Sequence, residues 1–286
     1  MSTPLGSSQW MYSSGEEVTQ QSLKFNSSDS AYLKHTPAST TNRRTMTFSF
    51  WMKRGLLTYS ANYLSLFSAY PNTSAIDYIA FSPSSDSLRV WFNGSSSADL
   101  ITTQVFRDPA SWYHIVVAID TTQATSSNRI KIYVNGNQVT TFSTANYPAL
   151  NYETYWNNSS YASAIGANLN GPQGYFDGYL SDINFIDGQA LTPTSFGQFT
   201  DGYWEKIDYA GSYGTNGFHL TFEDDVVSEG FNAVTFTAKS STAESVSGLG
   251  LSPVLDLAVK VTALNPSLTT SSWKVRWKPF VPYVPA

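Results

Sequence analysis

Cysteine is absent, which excludes disulfide frameworks and thiolate metal sites and leaves packing as the source of stability. Charge is scarce too. Asp, Glu, Lys and Arg make up 13% of the chain, about half the ordinary share of roughly 25%. A net charge of −5 gives no electrostatic reason to bind nucleic acid or an anionic membrane. No apolar run approaches the roughly 20 residues of a membrane-spanning helix, so membrane insertion is not expected. Met1-Ser2-Thr3-Pro4-Leu5-Gly6 has neither a basic nor an apolar region, so a secretory leader is not expected either. No apolar period supports a helix longer than a turn or two.

What fills the chain instead is aromatic and amide-rich: Phe, Tyr and Trp reach 15%, and Ser, Thr, Asn and Gly occupy the polar positions. Period-two alternation is the dominant signal. Leu23 and Phe25 open a first strand, and Met46, Phe48, Phe50 and Met52 alternate strictly with polar neighbours. Short strands are predicted near Leu64–Phe67, Ile76–Phe81, Leu88–Phe92 and Leu100–Val105, separated by Pro, Asn, Ser and Gly clusters. Trp112–Ile119 is apolar on both parities, which predicts a central strand covered on both faces. Ile130–Val134, Asn135-Gly136 and Asn137–Thr140 read as a hairpin, because both turn residues must take positive φ. Phe218, Leu220 and Phe222 are predicted to form a closing strand near the first. Many short strands with turns between them predict an all-β, two-sheet antiparallel sandwich.

The most informative stretch is Tyr175–Pro193. Phe176, Gly178 and Leu180 share one parity, whereas Ile183 and Phe185 carry the apolar side on the other. A strand changes parity this way only through an extra residue, so a β-bulge is predicted near Ser181-Asp182. Asp187-Gly188 reads as a turn, and Thr192-Pro193 as an N-cap with proline at the first position of one helical turn.

Phe176-Asp177-Gly178-Tyr179-Leu180 ahead of Asp187-Gly188-Gln189-Ala190-Leu191 resembles laminin-G-like, concanavalin-A-like jelly-roll modules. The strand Trp112–Val117 and the hairpin Ile132-Tyr133-Val134-Asn135-Gly136 are similar to the same family. These phrases, with Gly211-Ser212-Tyr213-Gly214-Thr215-Asn216-Gly217-Phe218, look like the copies found in virion proteins of marine, cyanophage-type bacteriophages. The resemblance implies jelly-roll topology for residues 21–225, preceded by an N-terminal arm (1–20). A small β-rich extension follows (226–286), with predicted strands at Val234–Thr237, Val254–Val261 and Trp273–Trp277 and a Pro-rich tail. It also implies a non-enzymatic virion structural protein on the particle surface, assembled in the host cytoplasm. That protein is expected to be a homo-oligomeric capsid decoration or compact appendage contacting other capsid or tail proteins. The alternative is a tail-associated adhesin that binds host-surface glycan.

No catalytic site is read from the residues. Glycoside hydrolysis needs two carboxylates about 5–10 Å apart facing one cleft, and no strand carries such a pair. Glu223, Asp224 and Asp225 read as a solvated boundary, and His114 as a satisfied sheet histidine. Family members often hold Ca²⁺ on loop oxygens. Ca²⁺ is thus the one ion the resemblance allows, with Asp177, Asp187 and Asp201 as loose candidates that read more simply as turn formers. The binding candidate is the loop bearing Tyr147, Tyr152, Glu153, Tyr155, Trp156, Asn157 and Asn158, whose rings beside amides suit a sugar or a protein partner. Alternatively the loop folds back and buries its own rings. Trp10, Tyr12, Trp273, Trp277 and Tyr283 are candidates for subunit or virion contact.

Overall fold

A computed structural model describes residues 22–57, 63–72, 75–83, 85–92, 98–168 and 174–222, and the backbone of 234–239 and 256–261. The strands are β1 (Leu23–Phe25), β2 (Tyr32–His35), β3 (Thr45–Arg54), β4 (Leu64–Asn72), β5 (Ala75–Phe81) and β6 (Ser87–Phe92). Next come β7 (Ala98–Val105), β8 (Tyr113–Asp120), β9 (Ile130–Val134), β10 (Asn137–Gln138), β11 (Phe142–Asn146) and β12 (Ala162–Ile165). The last are β13 (Gly178–Asp187), β14 (Gly197–Thr200), β15 (Tyr203–Lys206), β16 (Phe218–Leu220), β17 (Val234–Lys239) and β18 (Asp256–Val261).

Among the described residues these strands form two large antiparallel sheets and one separate hairpin. The first sheet runs β1-β13-β3-β8-β9-β10, with β16 also on β13; the second runs β11-β7-β6-β5-β4-β12-β2-β17-β18. β14 and β15 pair only with each other. The sheets face one another as a jelly-roll sandwich. Met46, Phe48, Phe50 and Met52 of β3 all point into the core, as their alternation predicts. Phe48 is the centre of it, with ring centroids 5.1 Å from Phe67, 5.0 Å from Trp156 and 4.8 Å from Phe185.

β8 is covered on both faces. Ile115, Val117 and Ile119 meet the core. Val116 and Ala118 meet a second cluster with Tyr133, Ile186, Phe196 and Tyr213. Phe196 and Tyr213 come from the segment that crosses the outer face of the first sheet, which explains why both parities of β8 are apolar.

β13 carries the predicted bulge. Ser181 pairs with Trp51 and Asn184 with Ser49, so Asp182 and Ile183 lie opposite Phe50 alone. Asp182 takes φ 48°, the left-handed conformation that absorbs the extra residue. Leu180 before the bulge and Ile183 and Phe185 after it therefore all reach the core. β1 pairs with the first half of β13 and β16 with the second, so the opening and closing strands share one edge.

Several expectations needed adjustment. The helical turn is a 3-10 turn, Pro193–Ser195, with proline at its start; the Thr192 side chain makes no capping bond, its hydroxyl pairing with that of Thr194 at 2.9 Å. Phe222 lies beyond the closing strand at φ 62°. β17 and β18 continue the second sheet outward from β2. The predicted strand Trp273–Trp277 lies outside the described residues.

Candidate functional site

β8 and β9 run the length of the sandwich, which gives it two distinct ends. The aromatic loop closes one of them, and it is tied down throughout. Asp77 of β5 accepts from the Tyr155 amide at 2.7 Å and from the Tyr152 hydroxyl at 3.3 Å. Tyr152 stacks on Phe92 with centroids 5.6 Å apart and planes at 8°. Trp156 is only 2% exposed, wedged between Phe48 and Phe92. Asn157 is buried at φ 58° and donates to the Asn42 carbonyl and to Asp187. Glu153 pairs with Arg43 and Arg44, and Asn158 accepts from the Ser160 amide. Tyr147 and Tyr155 pack half-buried against the core.

The loop is thus a plug. The stacking face expected of Trp156 is not available, because the indole fills the gap between the two sheets and burying it stabilises the fold more than exposing it. Trp10, Tyr12, Trp273, Trp277 and Tyr283 lie outside the described residues.

The polar groups that might suggest catalysis are committed to structure. Ser49 Oγ lies 2.9 Å from His114 Nε2, an arrangement that outwardly resembles a nucleophile and its base. The other ring nitrogen decides otherwise. The indole N–H of Trp204, a donor only, points at His114 Nδ1 at 2.9 Å. Nδ1 must accept, so in the neutral ring the proton sits on Nε2 and is donated to Ser49. Such an imidazole cannot take a proton from that serine. Burial pushes the His114 pKa down to about 4, only partly opposed by Asp182, so the ring is neutral near pH 7.

Asp182 accepts from His219 at 2.7 Å and from Lys206 at 3.0 Å. Burial alone would raise its pKa, but the bond from His219 and the Lys206 charge hold it below the usual carboxylate range. Asp86 pairs with the buried guanidinium of Arg54 at 3.0 Å, and Asp99 with Arg89 at 2.6 Å.

Each of the loose Ca²⁺ candidates has a local structural role. Asp177 accepts from the Ser27 amide and hydroxyl, Asp187 from Asn157 and the Asn216 amide, and Asp201 sits in a tight turn at φ 50°. Among the described residues no group of three His, Cys, Asp or Glu side chains is found.

At the opposite end of the sandwich lies a groove of about 370 Å³, lined by Gln104, Val134, Asn135, Asn137, Gln138, Val139, Thr140 and Thr141. That volume falls in the range typical of small-ligand clefts. The Asn135-Gly136 turn forms one wall, with φ 47° and 79° as predicted. Asn135 is fixed there: its amide N–H donates to the His114 carbonyl, and its Oδ1 accepts from the His114 amide, both at 2.8 Å. Gln104, Gln138 and Thr140 are exposed, and their side chains make no hydrogen bond to other described residues.

The hairpin β14–β15 packs on the outside of this turn. Trp204 lies so close over Gly136 that a Cβ there would come within 2.4 Å of the indole and 3.0 Å of the Phe199 ring. Phe199 rests edge-to-face on Trp204, with centroids 4.9 Å apart, yet remains 56% exposed, and Tyr203 is 76% exposed. The turn therefore has the groove with its uncommitted Gln104, Gln138 and Thr140 on one side and the Trp204–Phe199 pair on the other.

The sequence profile of the concanavalin A-like lectin/glucanases superfamily, in its laminin G branch, matches residues 26–195, more than half of the chain. The chain belongs to this superfamily.

Solved superfamily-like structures are similar only at the level of the fold. A heptameric SAP-like pentraxin from Limulus polyphemus is 19% identical over 59% of this chain and 76% of its own, with a TM-score of 0.40. Domain 4 of AbnA, a GH43 extracellular arabinanase from Geobacillus stearothermophilus in complex with arabinotriose, is 18% identical over 55% and 65%, with a TM-score of 0.40. Tailspike protein 2 of an Escherichia coli O157:H7 bacteriophage is 9% identical over 61% of this chain and 23% of its own, with a TM-score of 0.42. No curated protein matches the sequence significantly.

Within this superfamily sandwich, the groove and its rim escaped the sequence reading, which followed aromatic density to residues 147–158. One available signal was Asp201-Gly202 between Phe199 and Trp204, a hairpin turn pair flanked by rings.

Proposed function

We propose that this protein is a non-enzymatic carbohydrate-binding jelly roll carried on the surface of a bacteriophage particle. The observation that carries the binding reading is the groove beside Asn135-Gly136. Its exposed Gln104, Gln138 and Thr140 side chains make no hydrogen bond to other described residues. Pyranose rings offer hydroxyls that can pair with such amides and hydroxyls. Support for the particle setting is the resemblance of Tyr175–Pro193 and Gly211–Phe218 to virion proteins. There the chain would assemble as a homo-oligomer on capsid or tail proteins and present the groove outward to host glycan.

A glycan array probed with the full chain tests the binding reading. Retention of at least one saccharide, without release of reducing ends, is the expected result. Release of reducing sugar from host polysaccharide would make the protein an enzyme. Mass spectrometry and immunogold labelling of intact particles test the setting; absence of the chain from particles of the phage that encodes it would contradict that part.

A further inference from the structure

Resting on the homo-oligomeric reading above, we infer that two copies of this chain pair about a two-fold axis through the outer face of the first sheet. An aromatic band crosses that face, with lysines at one end and carboxylates at the other. The band starts on β1. Phe25, Leu180 and Met52 enter the core, so their strand neighbours Lys24, Tyr179 and Lys53, which lie side by side in register, point outward. Tyr113 packs inward as well, which turns Trp112 out, and the Trp112 ring meets Tyr179 with centroids 6.5 Å apart. Trp51 stands 5.0 Å from His114, and His114 5.9 Å from Trp204, which carries the band onto the hairpin β14–β15. There Phe199 pairs with Trp204, while Tyr203 and Glu205, on the hairpin's other face, turn to solvent.

The rings on this face are unusual in their exposure. Among the described residues the large apolar side chains left exposed are Trp112, Phe199 and Tyr203, all on the band, and Val105 and Leu150 on β7 and the plug. Aromatic rings gathered on one face in this way have the composition of an interface core.

Charge names the occupant. Lys24 and Lys53 stand at the β1 end and Asp201 and Glu205 on the hairpin, and none of the four forms a salt bridge among the described residues. Lys206, the cation of the hairpin, is turned to Asp182 and Asp208. Asp108 near Lys53 accepts from the Ala110 amide and the Ser111 hydroxyl. From β1 to β9 the band crosses four strand spacings, β1-β13-β3-β8-β9, or roughly 19 Å. A two-fold axis through its middle exchanges the two ends. The lysines of each copy then meet the carboxylates of the other, and rings meet rings.

The test is sedimentation velocity of the full chain from about 1 to about 100 μM. It is run beside a ring variant, Trp112→Ala with Tyr203→Ala, and two charge variants. One of these is Lys24→Glu with Lys53→Glu, and the other is Gln198→Lys with Glu205→Lys; circular dichroism confirms the fold of each. The full chain is expected to sediment as a dimer, weakened about tenfold in the ring variant. Each charge variant alone sets like charges opposite one another and is expected to be monomeric. Their equimolar mixture is expected to dimerise again, because one carries carboxylates at both ends of the band and the other lysines. A monomeric full chain would overturn the inference and the homo-oligomeric reading together. An oligomer that survives all three variants would overturn this surface and leave that reading standing. Charge variants that stay monomeric on mixing, or recover as a larger ring, would overturn the two-fold pairing of opposite ends.

Discussion

Among single residues, His114 links the sandwich to the hairpin β14–β15 most directly. Its ordinary pKa of 6.5 falls to about 4 in the folded protein because burial disfavours the charged ring. Between these values the unfolded chain binds a proton that the folded chain does not. The contribution is therefore full above about pH 6.5 and is lost as the pH falls toward 4. Two and a half pH units correspond to on the order of 3 kcal/mol. Denaturant unfolding at pH 7 and at pH 4.5 is expected to show this loss, and His114→Gln to flatten it. A slope unchanged by that substitution would mean that another group titrates.

Gly136 answers to different physics. Its φ of +79° and the indole above it both exclude a side chain. Gly136→Ala is expected to cost about 1–3 kcal/mol in thermal or denaturant unfolding. It should also push the hairpin carrying Phe199 off the turn, seen as faster hydrogen exchange in β14 and β15.

At the level of elements, β13 shows how much an extra residue can do. Without the bulge, either Leu180 or the pair Ile183 and Phe185 would face away from the core. The left-handed Asp182 that creates the bulge is also the acceptor for His219 on β16 and Lys206 on β15, so one residue sets the register of a strand and clamps two others. Asp182→Ala is expected to destabilise the fold by about 3 kcal/mol, because it strands the partly buried Lys206 ammonium and removes the hydrogen-bond partner of His219. Retention of wild-type stability would show the clamp to be unimportant.

The bulge, the Asn135-Gly136 hairpin and the doubly buried β8 were all legible in the sequence, because each rests on local periodicity or turn chemistry. β2, β11, β12, β14 and β15 were not. They are five residues or shorter, and long-range pairing rather than local pattern decides them, as with β12 between β2 and β4. The aromatic loop was misleading for a related reason. Ring density is visible in a sequence, but whether a ring faces water or Phe48 depends on residues about a hundred positions away. Arg54 was equally silent, a guanidinium buried 4.3 Å from the Phe81 ring and paired with Asp86 across the sandwich.

For the whole molecule, the two ends of the sandwich divide the labour. One is sealed by the plug of Tyr147–Asn158, held by Trp156 in the core, by Glu153 on Arg43 and Arg44, and by the Tyr155 amide and the Tyr152 hydroxyl on Asp77. The other holds the groove between the end of β7 and the segment Val134–Thr141, where the side chains of Gln104, Gln138 and Thr140 make no hydrogen bond to other described residues.

The measurement that bears most directly on this account is backbone amide chemical-shift mapping of the isotopically labelled full chain during titration with a neutral oligosaccharide. Shifts are predicted to cluster at Gln104 and at Asn135–Thr141, with Tyr152–Asn158 unmoved. Shifts centred instead on Tyr152–Asn158, or on Arg89 and Trp91 on the outer face of the second sheet, would contradict it.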